Sequence, residues 1–293
     1  MRYWILNYSP SNCSKKRFTN LFFYGLAIFM SIFPFFLSIA FAETTNARAA
    51  IITDVSTGEI LYGKEPERRL PPASTAKLMT AIVTIARADL SDVVTISQNA
   101  SWVRPLKAGF KKGDKLTVEQ LLYAALIKSA NDAAVALAEA VAGSEKRFVD
   151  LMNQKAISIG AKNSKFINST GLPGHHQYTT ALDLSKIMNC ALGYPKLKEI
   201  MGTPAIELTT EKGEMLSLKN TDKLLWLDED IIGGKTGYTV RAGHCFVCAA
   251  EREKEVIIVV LLGSRSRKHL WKETEVLIDK GFRIVANKRG CDR

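Results

Sequence analysis

An apolar segment lies near the N-terminus of the chain. In the part that follows, the hydrophobic residues near both ends have the pattern of β-strands. Ala47–Asp54 is rich in β-forming residues, a turn follows at Ser56–Gly58, and Glu59–Tyr62 returns, which predicts a hairpin. Towards the other end, Glu255–Leu262 is a continuous apolar run, typical of a strand that is buried on both faces. The pattern therefore predicts a sheet that brings the N- and C-terminal segments together.

Between these strands, apolar residues recur at helical spacing. An apolar segment, Leu78 to Ala86, follows two prolines, and Thr117 with Gln120 forms a capping box that starts a helix to about Ile127. Further helices are predicted over 133–142, 145–159, 180–191 and 271–285, with strands over 205–209, 214–219 and 244–250. We expect an α/β chain of the α+β kind: an antiparallel sheet flanked by helices, with an inserted helical subdomain. A cleft between the sheet and the subdomain is the expected ligand site.

The N-terminal 42 residues differ in composition from the rest. They carry four basic residues and no acidic one, and residues 21–42 are apolar and end in Ala40-Phe41-Ala42. This predicts a secretory signal peptide over 1–42, cleaved after Ala42. The apolar run is also long enough to span a bilayer, so an uncleaved anchor and membrane association through this segment stay open. In either case residues 43–293 are predicted to be exported, in a bacterium to the periplasm or the outer face of the cytoplasmic membrane.

Charge, cysteine and histidine placement exclude several function classes. Without the basic residues of the leader the formal net charge falls from +11 to +7, which suits either an anionic wall or membrane surface or a solvated basic face. No basic–aromatic alternation indicates nucleic-acid binding. Cys245 and Cys248 lie three apart in a predicted strand and so point to opposite faces, which argues against a metal or redox site. His175 and His176 are expected to be exposed loop residues.

Three polar motifs interrupt apolar surroundings. Ser74 and Lys77 are three positions apart, and Ser74 is expected to cap or begin the helix, so the two side chains share one face. The positive end of a helix dipole favours an attacking serine oxygen, and a desolvated lysine can accept its proton. Ser129-x-Asn131 lies in a predicted turn between two helices, and Lys235-Thr236-Gly237 is predicted to begin a strand.

The order of these motifs, separated by 55 and 106 residues, carries a family resemblance. The chain resembles the serine-type D-alanyl-D-alanine carboxypeptidases, the low-molecular-mass penicillin-binding proteins of peptidase family S11, from about Ala47 to Phe282. Supporting stretches are LLYAALIKSANDAAVALAEA, NSTGL and GGKTGYTVRAGHCFVCAA. The resemblance implies a penicillin-binding/β-lactamase-like fold and an enzyme without cofactor or metal that acts on peptidoglycan stem peptides ending in D-Ala-D-Ala. β-Lactams are expected to be covalent inhibitors.

The chemistry assigns three catalytic roles. Ser74 Oγ is predicted to attack the carbonyl of the penultimate D-alanine and form an acyl-enzyme. Lys77 is the expected general base, because burial and the neighbouring charge of Lys235 lower the pKa of its amine. The Ser129 hydroxyl is expected to relay a proton to the leaving amine.

Substrate binding is expected to involve the other polar residues of the motifs. Asn131 offers a donor and an acceptor to the substrate amide. Lys235 and the Thr236 hydroxyl are predicted to bind the terminal carboxylate, and Gly237 lets substrate backbone lie against the strand as an added edge. By resemblance, the backbone N–H groups of Tyr238 and of the nucleophilic serine form the oxyanion hole.

Three other functions stay open at this point. Some relatives with the same motifs are D,D-endopeptidases, which cut peptide cross-links instead of removing the terminal D-alanine. A class A-like β-lactamase is disfavoured because no Glu-x-x-Leu-Asn sequence is present, and a non-catalytic binder is disfavoured because every motif is intact. Residues 43–293 are expected to form one D,D-peptidase catalytic domain with no C-terminal β domain, since the sequence stops soon after Val285.

Overall fold

Strands from both ends of the chain form one five-stranded antiparallel sheet in the computed structural model, which describes residues 45–291. The predicted leader therefore lies outside the described residues. In chain order the elements are β1 Ala49–Asp54, β2 Ile60–Lys64, α1 Lys77–Ile85, β3 Val93–Thr95, α2 Gln98–Trp102, β4 Lys115–Thr117, α3 Val118–Leu126, α4 Asn131–Ala142, α5 Glu145–Ser158, α6 Ala181–Leu192, α7 Pro195–Gly202, β5 Ala205–Thr209, β6 Met215–Lys219, β7 Ile231–Thr239, β8 Gly243–Arg252, β9 Glu255–Ser264 and α8 Arg267–Cys291.

The order of strands in the main sheet is β2-β1-β9-β8-β7. β1 pairs with β9 from the opposite end of the chain, with Ala49 opposite Leu262 and Asp54 opposite Ile257. The predicted joining of N- and C-terminal strands is thus confirmed. β7 pairs with β8 alone and forms one edge of the sheet, so it faces the helical part of the molecule with an unpaired side.

Alternate residues of the sheet enter two separate hydrophobic cores. On one face Ile52, Phe246 and Cys248 pack with helix α8, and on the other Ile51 and Cys245 pack with α6 and the remaining helices. The predicted opposite orientation of the two cysteines is confirmed, and both are buried free thiols. This arrangement explains why β8 and β9 are continuously apolar, because both faces of these strands are covered.

Helix α1 is the centre of the inserted helical subdomain. Its residues from Lys77 to Thr84 are all buried, and α3, α4, α5 and α6 pack around it. The helix is mostly apolar, which suits a position where no side faces water, and its buried Thr80 donates to the carbonyl oxygen of Ser169. The predicted α+β fold with an inserted helical subdomain is confirmed, and Ser74 lies in the turn that leads into this buried helix.

The third motif is placed differently from the prediction. Lys235-Thr236-Gly237 was predicted to begin a strand, but it lies within the nine-residue strand β7. Gly233 and Gly234 look like a turn in sequence, yet the strand continues through them with a shift in register between Ile231 and Gly233. Added Cβ atoms there would lie 2.8 Å from Met201 and Phe246, so close packing of neighbours explains both glycines.

Within residues 45–291, no helix has the length and apolar character needed to cross a bilayer. The same part of the chain holds no group of three or more histidine, cysteine, aspartate or glutamate side chains placed to bind a metal ion.

Candidate active site

Ser74 lies in a short 3-10 turn, Ala73–Ala76, that leads directly into α1. Ser74 is the second residue of this turn and is not an N-cap, since the N-cap positions of the turn and of α1 are Pro72 and Ala76. The turn is held instead by Thr75, whose Oγ1 donates to the carbonyl oxygen of Pro72 at 2.6 Å. The Ser74 hydroxyl is therefore available to the cleft, and its oxygen accepts a hydrogen bond from Lys77 Nζ at 3.1 Å.

The Lys77 amine is completely enclosed by acceptor atoms. The side chain is 0% exposed, and besides Ser74 its Nζ donates to Asn131 Oδ1 at 2.6 Å and to the carbonyl oxygen of Thr170 at 2.7 Å. A neutral amine has two N–H groups and one lone pair. If the amide of Asn131 and the carbonyl of Thr170 take the two N–H groups, the lone pair points to the Ser74 hydroxyl.

The environment of Lys77 favours this neutral form. Burial lowers the pKa of its amine well below the usual value, and the charge of Lys235 lowers that pKa further, while Asp132 partly opposes the shift. Loss of hydration disfavours an ammonium ion unless an adjacent carboxylate compensates it. The geometry and the direction of the pKa shift therefore agree on a base beside Ser74.

Lys235 lies on the other side of the site and contacts the second motif. Its side chain is 1% exposed, and Nζ donates to Ser129 Oγ at 3.0 Å and to the carbonyl oxygen of Thr236 at 3.1 Å. Burial lowers the pKa of Lys235 to about 7, against a raising effect of Asp222. Ser129 thus lies beside the lysine that is predicted to bind the substrate carboxylate, while Lys77 contacts Ser74, the predicted nucleophile.

Asn131 is already engaged by protein atoms. Its Oδ1 accepts from Lys77 and its Nδ2 donates to the carbonyl oxygen of Pro105, and the residue is 2% exposed. It is the first residue of α4, whereas Ser129 lies in the preceding turn with a φ of 63°. The Asn131 amide therefore contacts Lys77 and the Pro105 loop, which leaves the second N–H of Nδ2 unassigned, and its predicted contact with the substrate stays a prediction.

The neighbouring Asp132 secures the loop that covers the second motif. Its carboxylate accepts hydrogen bonds from the backbone N–H groups of Ala108 and Gly109 at 2.9 Å and of Phe110 at 3.2 Å. These bonds hold the loop that also supplies the Pro105 acceptor for Asn131. No sequence pattern signals this role, because its three backbone donors come from another loop and leave no motif.

The remaining motif residues follow the edge strand β7. Thr236 Oγ1 lies 2.7 Å from Thr221 Oγ1, and Tyr238 is 52% exposed and stacks on His244 at 4.4 Å between ring centroids. A Cβ at Gly237 would lie 2.9 Å from the backbone nitrogen of Ser74. Glycine is therefore required here for the close approach of the strand to the turn that carries Ser74, and β7 and that turn lie side by side.

A loop outside the three motifs completes the site. Ser169 donates from its backbone N and its Oγ to Glu145 Oε1 at 2.8 and 2.6 Å, and its carbonyl oxygen accepts from Thr80 Oγ1 at 2.6 Å. These contacts position the next residue, Thr170, whose carbonyl oxygen accepts from Lys77. The NSTGL sequence signals the loop but not its contact with Lys77, because the contacting group is a backbone carbonyl.

Replacing Gly171 by alanine is expected to destabilise this loop. Its φ is 79°, and an added Cβ would lie 1.8 Å from the carbonyl oxygen of Ala73. Strain in the left-handed region and overpacking against backbone together cost about 3 kcal/mol. Thermal unfolding followed by circular dichroism should show a fall in Tm of roughly 6–12 °C.

Gly58→Ala is the matched control for this prediction. Gly58 has a φ of 72° but no atom within 4 Å of an added Cβ, so it carries the backbone strain without the clash. A smaller loss of about 1 kcal/mol is expected. Equal losses in the Gly171→Ala and Gly58→Ala variants would show that contact with Ala73 contributes nothing.

The other polar residues of the sequence analysis lie away from this cluster. His175 and His176 are exposed, as predicted for loop residues. Eight motif residues were predicted to form the site, and the structure brings all of them to one cleft between β7 and the helical subdomain, namely Ser74, Lys77, Ser129, Asn131, Lys235, Thr236, Gly237 and Tyr238. Their individual roles stay predictions.

Comparison with known proteins places the chain in a family. A model of the family described as D-alanyl-D-alanine carboxypeptidase, Peptidase_S11, matches residues 38–266. The D-alanyl-D-alanine carboxypeptidase DacF of Bacillus subtilis is 32% identical over 81% of this chain. A D-alanyl-D-alanine endopeptidase of Escherichia coli is 33% identical over 77% of this chain and 77% of its own length.

The fold is also similar to that of solved structures in this group. A serine-to-alanine mutant of the Streptomyces K15 DD-transpeptidase has a TM-score of 0.78 and 32% identity, covering 82% of this chain and 98% of that protein. The chain spans 62% and 63% of the length of the first two curated relatives it matches. From its sequence and its fold, the chain belongs to the D-alanyl-D-alanine carboxypeptidase family, peptidase family S11.

Proposed function

We propose that this chain is a serine-type D-Ala-D-Ala carboxypeptidase that removes the terminal D-alanine from peptidoglycan stem peptides. The observation that carries the proposal is the enclosed Lys77 amine, 3.1 Å from Ser74 Oγ and held by two other acceptors. An unactivated serine is a weak nucleophile, and a neutral amine within hydrogen-bond reach provides the activation. No cofactor is required for this chemistry.

Acylation uses the two sides of the cleft. Ser74 Oγ attacks the carbonyl carbon of the penultimate D-alanine while Lys77 Nζ takes the hydroxyl proton. When the tetrahedral intermediate collapses, the C–N bond breaks, and the proton that Lys77 took from Ser74 passes through the Ser129 hydroxyl to the leaving D-alanine amine, which returns Lys77 to its neutral form. Water then attacks the ester on Ser74, with Lys77 again acting as base, and releases the shortened peptide and the free serine.

Substrate orientation follows from charge and from the edge strand. Lys235 and the Thr236 hydroxyl bind the terminal carboxylate, and the substrate backbone adds to the free edge of β7. The backbone N–H groups of Ser74 and Tyr238 receive the developing oxyanion, which the close approach at Gly237 supports. Asn131 acts mainly by holding Lys77, in agreement with its two protein contacts.

The same catalytic cycle predicts how a β-lactam reacts with the protein. A β-lactam presents the carbonyl of its ring amide to Ser74 and its carboxylate to Lys235, so it is expected to acylate Ser74.

Peptidoglycan is assembled outside the cytoplasmic membrane. Residues 43–293 therefore act there as the catalytic domain, either after cleavage of residues 1–42 or anchored by them. Since some similar proteins are named endopeptidases, cleavage of D-alanyl cross-links is the alternative activity.

An intact mass spectrum before and after benzylpenicillin treatment tests the proposal. The protein purified from the cell envelope should gain one stable adduct, located on Ser74 by peptide mapping, and should release D-alanine from diacetyl-Lys-D-Ala-D-Ala. The Ser74→Ala variant, which lacks the nucleophile, should do neither. The untreated mass also shows whether residues 1–42 have been removed.

Each other outcome of this experiment points to a different function. Folded protein that gains no adduct but destroys the drug would be a β-lactamase. Protein that leaves the drug intact would be non-catalytic. An adduct with release of D-alanine only from a cross-linked peptide dimer would identify an endopeptidase.

A further inference from the structure

A loop beside the Ser129-x-Asn131 motif leaves two large apolar side chains in contact with water. Trp102, the last residue of helix α2, is 72% exposed, and Leu106 is 61% exposed. Lys107 Nζ donates to the carbonyl oxygen of Ser101 at 3.0 Å, which brings the loop that carries Leu106 back to the end of α2. Exposed apolar side chains that lie near each other mark an interaction surface more often than scattered ones do.

The protein keeps Leu106 exposed by fixing a strained backbone. Its φ is 51°, in the left-handed region that is unfavourable for a bulky side chain. Asn131 holds the loop in this conformation, since its backbone N–H donates to the carbonyl oxygen of Leu106 at 2.8 Å and its Nδ2 donates to that of Pro105. The Asp132 carboxylate binds three more backbone N–H groups of the same loop. Strain that is maintained by several surrounding contacts is found mainly in functional segments.

The loop is also strongly basic. Residues 102–112 contain no aspartate or glutamate, and they expose four cationic side chains, those of Arg104, Lys107, Lys111 and Lys112. Among residues 45–291 no carboxylate forms an ion pair with any of the four. The next acidic residue along the chain, Asp114, is buried and pairs with Lys212. The loop therefore presents apolar surface together with positive charge.

A bilayer surface that contains anionic lipid matches both properties. Tryptophan is favoured at the level of the lipid headgroups, where its ring meets apolar groups and its indole N–H meets water. A neighbouring leucine can enter the boundary of the acyl chains, and lysine and arginine side chains attract anionic headgroups. A soluble phosphate polymer would satisfy only the cations and would leave both apolar side chains in water.

We propose that the 102–112 loop docks on a bilayer that contains anionic lipid, with Trp102 and Leu106 inserted among the lipids and the basic side chains at the headgroups. This contact is separate from residues 1–42 and from the catalytic steps. Because Asn131 holds the loop and also contacts Lys77, docking places that side of the cleft next to the membrane surface.

Fluorescence quenching by brominated lipids tests the docking. Protein purified from the cell envelope is mixed with vesicles of phosphatidylglycerol or of phosphatidylcholine, each brominated in its acyl chains. The quenched signal that disappears in Trp102→Phe belongs to Trp102, whether or not residues 1–42 are still attached. This share should be present with phosphatidylglycerol, absent with phosphatidylcholine and lost in high salt, because salt screens exposed charges.

Two variants separate the apolar and the charged contributions. Leu106→Asn removes the apolar side chain but suits a positive φ, so docking should weaken about tenfold while Tm stays equal or rises. Replacing Lys111 and Lys112 by glutamine should weaken docking about 25-fold, roughly fivefold per charge. Ser74→Ala should dock like the wild type, since no catalytic step takes part.

Trp226→Phe is the matched control, because Trp226 is also exposed, at 45%, but is followed by the acidic residues 228–230. This variant should keep the full quenched signal. A Trp102→Phe variant that is quenched as strongly as the wild type, or equal quenching of Trp102 in both lipids, would overturn the proposal. Salt-sensitive binding of polyphosphate without quenching by lipid would also overturn it and would assign the loop to a soluble polyanion.

Discussion

Replacing Lys77 by arginine should lower kcat/KM for D-alanine release by about 1,000-fold. Arginine keeps the positive charge and most of the length of the side chain, but its guanidinium stays protonated and so has no lone pair for the Ser74 proton. The enclosed position adds to the loss. Three acceptors surround one nitrogen there, and a planar fork cannot satisfy them from the same point.

The pH dependence identifies the cause of this loss. Lys77 must be neutral to accept a proton, so wild-type kcat/KM should rise as pH rises through its lowered pKa. Lys235 must stay charged to bind the carboxylate, so kcat/KM should fall again as pH rises above its pKa of about 7. The Lys77→Arg variant should lose the rise on the acidic side and keep the fall on the alkaline side.

The exposed lysine Lys198 on helix α7 provides the control, since Lys198→Arg makes the same chemical change away from the cleft. Its rate of acylation by benzylpenicillin should equal that of the wild type. Lys77→Arg protein that is folded, by circular dichroism, and is acylated at a rate within about tenfold of the wild type would contradict the role of Lys77 as base.

The motifs could be predicted because their chemistry depends on side chains at short, fixed spacings. Ser74 and Lys77 are neighbours on one helical turn whatever the rest of the fold does. The joining of β1 to β9 was also predictable, because continuous apolar sequence in Glu255–Leu262 requires cover on both faces. Local periodicity thus carried the fold class, while the grouping of the three distant motifs into one site came from their resemblance to a known family.

What the sequence could not provide depends on backbone atoms and on contacts between distant segments. The carbonyl oxygen of Thr170 contacts Lys77 only because Glu145 and Thr80 fix the adjoining Ser169. Any residue at position 170 would offer the same oxygen, so its identity gives no signal. The same reason applies to Asn131, whose amide has equal capacity for substrate and for protein until its partners are known.

Short elements were missed for a related reason. Strands β3 and β4 have three residues each, too few to show an alternating pattern, and they exist because they pair with each other. Helix α7 begins at Pro195, a residue that ends a helix when it lies in the interior but suits the first helical turn. Strand β7 contains two adjacent glycines, which favour a turn locally and are explained only by the neighbours that press against them.

Replacing Gly237 by alanine should lower kcat for D-alanine release by roughly 100- to 1,000-fold while the protein stays folded. The added Cβ would lie 2.9 Å from the backbone nitrogen of Ser74 and 3.1 Å from both the Thr75 nitrogen and the Ala73 Cβ. Since the two nitrogens are backbone atoms and the Cβ is fixed to the backbone of the same turn, the turn must move away from β7. This movement separates the two N–H groups that are proposed to bind the oxyanion, and loss of one such donor costs about 3 kcal/mol.

Steady-state D-alanine release and the rate of benzylpenicillin acylation should fall together, because both pass through an oxyanion at the same place. Gly63→Ala is the matched control: this glycine also lies in a strand, but its added Cβ would be 3.4 Å from the nearest atom, an ordinary contact. If folded Gly237→Ala protein kept a kcat within about a factor of three of the wild type, the close approach of β7 to Ser74 would have no part in stabilising the transition state. A selective rise in KM would instead assign Gly237 to substrate binding alone, because uniform binding changes KM and leaves kcat untouched.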